Sequence, residues 1–136
     1  MSEKVDQFCD RLRERLNAFE GWVHSVKADA KSGAEKAEKA LQAKLAEARA
    51  KLHAQKERVE QTRVNLQTWA REKMAETKVV IDEWKAKHEA RKLTARADRA
   101  EAYAADAILC ALASIDEAEE AILDAVVARM DADAKP

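Results

Sequence analysis

The chain has two glycines and one proline, and that proline is the last of its 136 residues. So little turn chemistry excludes a sheet of hairpins and, with it, the all-β and α/β enzyme folds. Only two cysteines are present, Cys9 and Cys110. They form no disulfide framework, and in a reducing compartment they serve as small apolar side chains. Large aliphatics are also scarce: 30 of the 64 apolar residues are alanine, while Leu, Ile, Val and Phe together number 25. Such poverty can signal disorder, but disorder normally comes with a high net charge. Here 25 basic and 26 acidic side chains leave a net charge of -1. The first ten residues carry charges of both signs, and no apolar stretch of signal-peptide length follows. The longest apolar-rich run, residues 104–115, is interrupted by Asp106 and falls short of the roughly 20 residues a bilayer span needs. The expectation is a soluble, cytoplasmic chain.

Ala, Glu, Lys, Leu and Arg make up 81 of the 136 residues, the composition of long or coiled helices. Charge is balanced overall but not along the chain. Residues 1–92 carry a net +5 and residues 93–136 a net -6. This asymmetry reads as an acidic last helix packed beside a basic middle helix. A nucleic-acid surface is disfavoured, since Glu47, Glu57, Glu60, Glu72 and Glu76 interrupt the basic residues.

Hydrophobic spacing divides the chain into three helices near 3–31, 34–92 and 94–133. Ser2 can cap the first, whose residues Val5, Phe8, Leu12, Leu16, Phe19, Val23 and Val26 recur with a helical period. Gly21 weakens this helix without ending it. Ser32-Gly33-Ala34-Glu35 is the clearest punctuation: either Gly33 terminates one helix, or Ser32 and Glu35 form a capping box for the next. From residue 34 to 92 there is neither Gly nor Pro, which predicts one continuous helix. Leu41, Leu45, Leu52, Val59 and Leu66 mark its heptad seam, with polar interruptions at Gln55 and Thr62. After a slip of four, Ala70, Met74, Thr77, Ile81, Trp84 and His88 continue it, with Trp69 beside it. Thr94 offers a weak cap for the last helix, in which Ile108, Leu112 and Ile115 lie where nearly every side is apolar. That segment should be packed from more than one direction, and the tail DADAKP should fray. The twelve large apolar residues on or beside these seams, from Leu41 to Ile115, are the candidate packing and dimer-interface set.

No convergent chemical pattern stands in the sequence. No histidine has a Glu three residues before it, as di-metal bundles require: His24 follows Gly21, His53 follows Ala50, and His88 follows Lys85. Glu20 and His24 share a face as an ordinary surface pair. There is no Cys-x-x-Cys, His-Glu-x-x-His or Gly-rich phosphate loop, and Cys9 has no nearby His to activate it. Asp116, Glu117, Glu119, Glu120 and Asp124 read as a solvated helix face, because no loop orders their oxygens for calcium. Trp22, Trp69 and Trp84 read as core or interface anchors. The chain is therefore expected to be non-enzymatic, with no catalytic residue, metal or cofactor.

The segment RAEAYAADAILCALASIDEAEEAILDAVVARM, residues 99–130, resembles a pattern found in small, uncharacterised bacterial coiled-coil or helical proteins. It covers about a quarter of the chain and lies in alanine and acid spacing. The resemblance implies a bacterial cytosolic source and stress-linked or uncharacterised relatives; it transfers no functional residue.

The expected architecture is one all-α domain, residues 1–136, of long antiparallel helical hairpins in a Z shape. Helix one covers the first half of the central helix, and the last helix covers the second half, with Tyr103 near Trp84. Each half is then a two-helix layer, which buries too little apolar surface alone. Homodimerisation supplies the missing cover. In this arrangement Cys9 and Cys110 lie roughly 30 Å apart along the axis; a bundle broken near residues 62–68 would bring them closer. The expected function is structural or protein-interacting, as a scaffold or adaptor with an unknown protein partner, or as a stress-associated protein. The alternative is an amphipathic coat on a lipid or storage-granule surface, as phasins are, although no phasin motif is present. The first helix could enter such an interface through Phe8, Phe19 and Trp22. Its six basic and six acidic groups over residues 2–31 lack the cationic excess that anionic membranes favour.

Overall fold

The computed structural model describes residues 3–134, and these form four helices and no strand: α1 (Glu3–Ser32), α2 (Glu35–Met74), α3 (Lys78–Ala86) and α4 (Ala90–Ala134). Their 30, 40, 9 and 45 residues correspond to about 45, 60, 13 and 68 Å. The expected cap Ser2 lies outside the described residues. α1 and α2 are joined as tightly as the punctuation predicts. Gly33 adopts φ +63°, the left-handed conformation that ends a helix at no steric cost. The Ser32 hydroxyl donates back to the Asp29 carbonyl at 3.0 Å. Ala34 is the N-cap of α2 and has no side-chain cap, so the Gly33 reading holds and the capping box does not form.

The continuous helix over 34–92 is corrected. α2 stops at Met74, where the Ala75 and Glu76 N–H groups donate to the Glu72 and Lys73 carbonyls at 3.1 and 3.0 Å. These bonds tighten the last turn into 3₁₀ geometry. Thr77 is extended (φ -71°, ψ 160°), and its hydroxyl accepts from the Val80 N–H at 3.3 Å as the N-cap of α3. α3 ends just as definitely. The Glu89 N–H donates to the Trp84 carbonyl at 2.9 Å and the His88 N–H to the Lys85 carbonyl at 3.2 Å. This is the Schellman pattern, with His88 at φ +54° where glycine is usual. Neither stop involves Gly or Pro. One uses a threonine that the heptad seam claims, and the other places an L-residue in a conformation costing roughly 1–2 kcal/mol. α4 accordingly starts at Ala90, four residues before Thr94. It runs through Ala134, into the tail that was expected to fray; Lys135 and Pro136 lie outside the described residues.

The break also overturns the Z shape. α4 turns back along α2 itself, in antiparallel register from Arg99 beside Glu76, through Trp69 to Asp106 and Arg63 to Glu117, to Arg49 against Asp124. α1 runs parallel to α4, with Lys4 3.7 Å from Glu101 and Arg15 2.9 Å from Asp116. Three helices therefore share one cross-section, and α3 packs only on α4. Val26 of α1, Leu41 and Leu45 of α2 and Leu123 of α4 form the core at one end, backed by Trp22, Ala48, Val126 and Met130. Val59 and Ala113 are buried midway.

No residue from 103 to 113 is fully exposed, in keeping with packing of that segment from more than one direction. Yet Ile108, Leu112 and Ile115 are only half-buried. The deepest burial falls where all three helices contribute Leu or Val. Tyr103 is not beside Trp84. Lys73 of α2 sits 5.4 Å over the Tyr103 ring, and Trp84 lies under Lys92 at 6.0 Å. The α1–α4 register also places Cys9 level with residues 106–110, so the expected axial gap to Cys110 closes.

Candidate functional site

The charge asymmetry of the sequence becomes a cross-helix junction. Asp116 of α4 is 9% exposed. Its carboxylate accepts hydrogen bonds from Arg15 of α1 at 2.9 Å, and from Lys51 and Gln55 of α2 at 3.0 and 3.3 Å. Arg15 also pairs with Glu119. Burial pushes the Asp116 carboxyl up, but the bonds from Arg15, Lys51 and Gln55 together outweigh it and hold the group below its ordinary value. Desolvation likewise works against the Arg15 cation, and Glu119 and Asp116 overcome it. The carboxylate takes its donors from both other helices and so ties α1 and α2 to α4 at this level.

Around it, Arg49 bonds Glu120 at 3.2 Å and Asp124 at 2.7 Å, and Arg63 bonds Glu117 at 2.7 Å. The acidic run on α4 is thus solvated only in part: Glu117 and Asp124 are exposed, and Glu119 and Glu120 are half-buried. Asp116 is buried, and its neighbours meet the basic residues of α1 and α2. The pairs made by Arg49 and Arg63 are exposed and screened, and contribute little each. Asp116 is the one whose loss would be felt.

An open groove of about 450 Å³ adjoins this junction between α1, α2 and α4. Val59, Leu109, Leu112 and Ala113 form its apolar part; Arg11, Glu14 and Arg58 stand around it. A smaller cavity of about 190 Å³ lies near the other end of α2, against Trp69 and Tyr103. There Glu76 takes both Arg99 and Arg96, and the Trp69 indole N–H donates to Asp106 at 3.1 Å.

The twelve seam residues divide by depth. Leu41, Leu45 and Val59 are buried within the chain. Leu52, Leu66, Trp69, Ile81, Trp84, Ile108, Leu112 and Ile115 are half-buried, and Met74 is 80% exposed. The junction residues Arg15, Lys51, Gln55 and Asp116 stand outside that set. Their one signal in the sequence is Gln55, a polar interruption of the seam that marks where α2 turns a donor inward. Thr62, the other interruption, is buried and donates to the Arg58 carbonyl at 2.8 Å.

Cys9 is exposed; Cys110 is half-buried, and burial pushes its thiol up, away from the thiolate form that reacts. Among the described residues no three His, Cys, Asp or Glu side chains are grouped as metal ligands, and no helix is long and apolar enough to cross a membrane. Compared with protein-family models, curated proteins and solved structures, the chain has no match in any of the three.

Proposed function

We propose that the chain is a structural or protein-interaction protein of the cytoplasm, acting without catalysis and completed by association with a second copy of itself. One observation carries this reading: the surface is too large for the mass. A compact monomer of 15.2 kDa exposes about 7,100 Å², whereas this chain exposes 9782 Å². Among the described residues six hydrophobic ones are buried, while Leu16, Val64, Met74 and Val79 are 48, 54, 80 and 77% exposed. A rod of three long helices that leaves such residues in water gains by covering them, and a symmetric dimer is the commonest way to do so. Scaffold and adaptor roles suit a stiff rod with charged flanks. The expected result is sedimentation as a dimer at micromolar concentration. A monomer under those conditions overturns the reading.

A second reading, a coat on lipid or a storage granule, is favoured by one feature. Met74 and Val79, the two most exposed large apolar residues, flank the α2–α3 break beside Lys73 and Lys78. Its test is a blue shift of Trp fluorescence and a gain of helicity on anionic vesicles, which a self-sufficient dimer would not show.

A further inference from the structure

We propose that the groove between α1, α2 and α4 is a binding site for a small amphiphilic anion, held by its head between Arg11 and Arg58 and by its tail over Val59, Leu109 and Leu112. Lys44 of α2 pairs with Asp29 of α1, and Val26 shares a core with Leu41 and Leu45. The same antiparallel register, followed along both helices, brings residue 11 opposite residues 56–62, the stretch that holds Arg58. Both arginines line the groove, so a guanidinium-bearing side chain from α1 and one from α2 border the same space.

The other charges nearby do not resolve this. Asp116 is already bonded by Arg15, Lys51 and Gln55, and Glu119 by Arg15. Among the described residues neither Arg11 nor Arg58 forms an ion pair with a carboxylate. The groove holds four cations, Arg11, Arg15, Lys51 and Arg58, against Glu14 and Asp116. Two like charges on one groove repel, and an oxyanion between them converts that repulsion into charge-assisted hydrogen bonds from two planar forks. Next to the forks the walls are apolar: Val59 and Ala113 are buried, and Leu109 and Leu112 are half-buried. Charge in one part and hydrocarbon in the other select an amphiphile with one compact anionic head, a phosphate monoester or a carboxylate, and a short chain or ring. A volume of about 450 Å³ is within the range of small-molecule sites. Such a head occurs on free metabolites and on membrane lipids; a groove of this volume seats one short tail and so fits the free molecule.

The experiment titrates the full chain with octyl phosphate below its micellar concentration, by calorimetry and by amide chemical shifts. Inorganic phosphate supplies the head alone, octyl glucoside the tail alone, and vesicles containing an anionic lipid the membrane-borne head. Octyl phosphate should bind at least about tenfold more tightly than either part, shifting the amides of Val59, Leu112 and Ala113. The double variant R11A/R58A should lose at least about tenfold, and R11K/R58K, which keeps both charges but neither planar fork, should fall between it and the parent. Arg11 and Arg58 are exposed, so both variants keep the fold, which a melting curve checks. Octyl phosphate should also raise the melting temperature of the parent, by mass action on the folded state, and not that of R11A/R58A. Equal binding by R11A/R58A, no binding of octyl phosphate by the folded parent, or binding to vesicles alone overturns the proposal. None of these results depends on whether the chain is a monomer or a dimer.

Discussion

Replacing Asp116 by Asn removes one charge from the junction and little volume, so its effect reads the electrostatics directly. Three bonds are at stake, and they are not equal. Lys51 is 58% exposed on its side chain and can swing into water, so its loss costs less than about 1 kcal/mol. Gln55 can still bond the Asn carbonyl. Arg15, 23% exposed, keeps Glu119 but loses a charge-assisted bond worth about 1.5–3 kcal/mol. The sum is about 2 kcal/mol of stability, or roughly 6–10 °C in Tm for a chain of this size. Chemical unfolding of parent and D116N at several pH values supplies the check. The folded Asp116 carboxyl lies below its ordinary value, so the unfolded chain takes up the proton first. The stabilisation is therefore fully present above about pH 5 and lost as pH falls below about 4, through the folded-state pKa. The gap between parent and variant should be constant from about pH 5 to 8 and should shrink as pH falls below about 4, closing only once Asp116 is protonated in the folded chain as well. Other carboxylates titrate too, but equally in the two proteins. A gap that persists undiminished in acid would show that the amide disturbs packing, not charge. A gap near zero at neutral pH would show that the junction holds nothing.

Three further outcomes test the fold. Leu123 is 1% exposed and Leu112 only half-buried, so L123A should cost about 3–4 kcal/mol and L112A about half that; equal costs in denaturant unfolding would misplace the core. H88G should stabilise by about 0.5–1 kcal/mol, by relieving the left-handed strain of the α3–α4 turn; destabilisation in the same assay would mean that the turn is not formed. Cys9 and Cys110 lie level on helices packed at roughly 8–10 Å, so a flexible bismaleimide spanning about twice that separation should link them within one chain. Peptide mapping with mixed isotope-labelled subunits that finds only interchain product would refute the parallel α1–α4 register.

The helical class, the Gly33 turn and the meeting of an acidic helix with basic ones were legible because each rests on a strong local signal. A left-handed glycine, a composition almost without turn residues and a net charge that changes sign along the chain leave few alternatives. The double break around α3 was not legible. Its stops are a threonine cap and a histidine in the left-handed conformation, and both residues also fit a helix interior at modest cost. That single misreading propagated. With a straight central helix α4 had to start far from α1, so the three-helix cross-section, the Leu123 core and the level of the cysteines all followed it out of place.

The junction was hidden for a different reason. Asp116 sits in a run of acids, and nothing in their spacing distinguishes the one that turns inward. What distinguishes it is a partner on another helix, at a register that only the folded chain defines. The polar interruption at Gln55 looks like a weakness of the heptad seam, but it is the donor that a buried carboxylate requires. Thr62, by contrast, answers its own backbone and recruits no other helix. Two interruptions of one seam therefore differ in kind. The first ties α2 to α4 at one level, and the second only satisfies a hydroxyl that burial would otherwise penalise. A seam of a few spaced leucines and a valine in an alanine-rich chain specifies alignment weakly, since sliding by a heptad exchanges similar side chains. In such a chain a buried charge with donors from two helices supplies the alignment that the apolar contacts cannot.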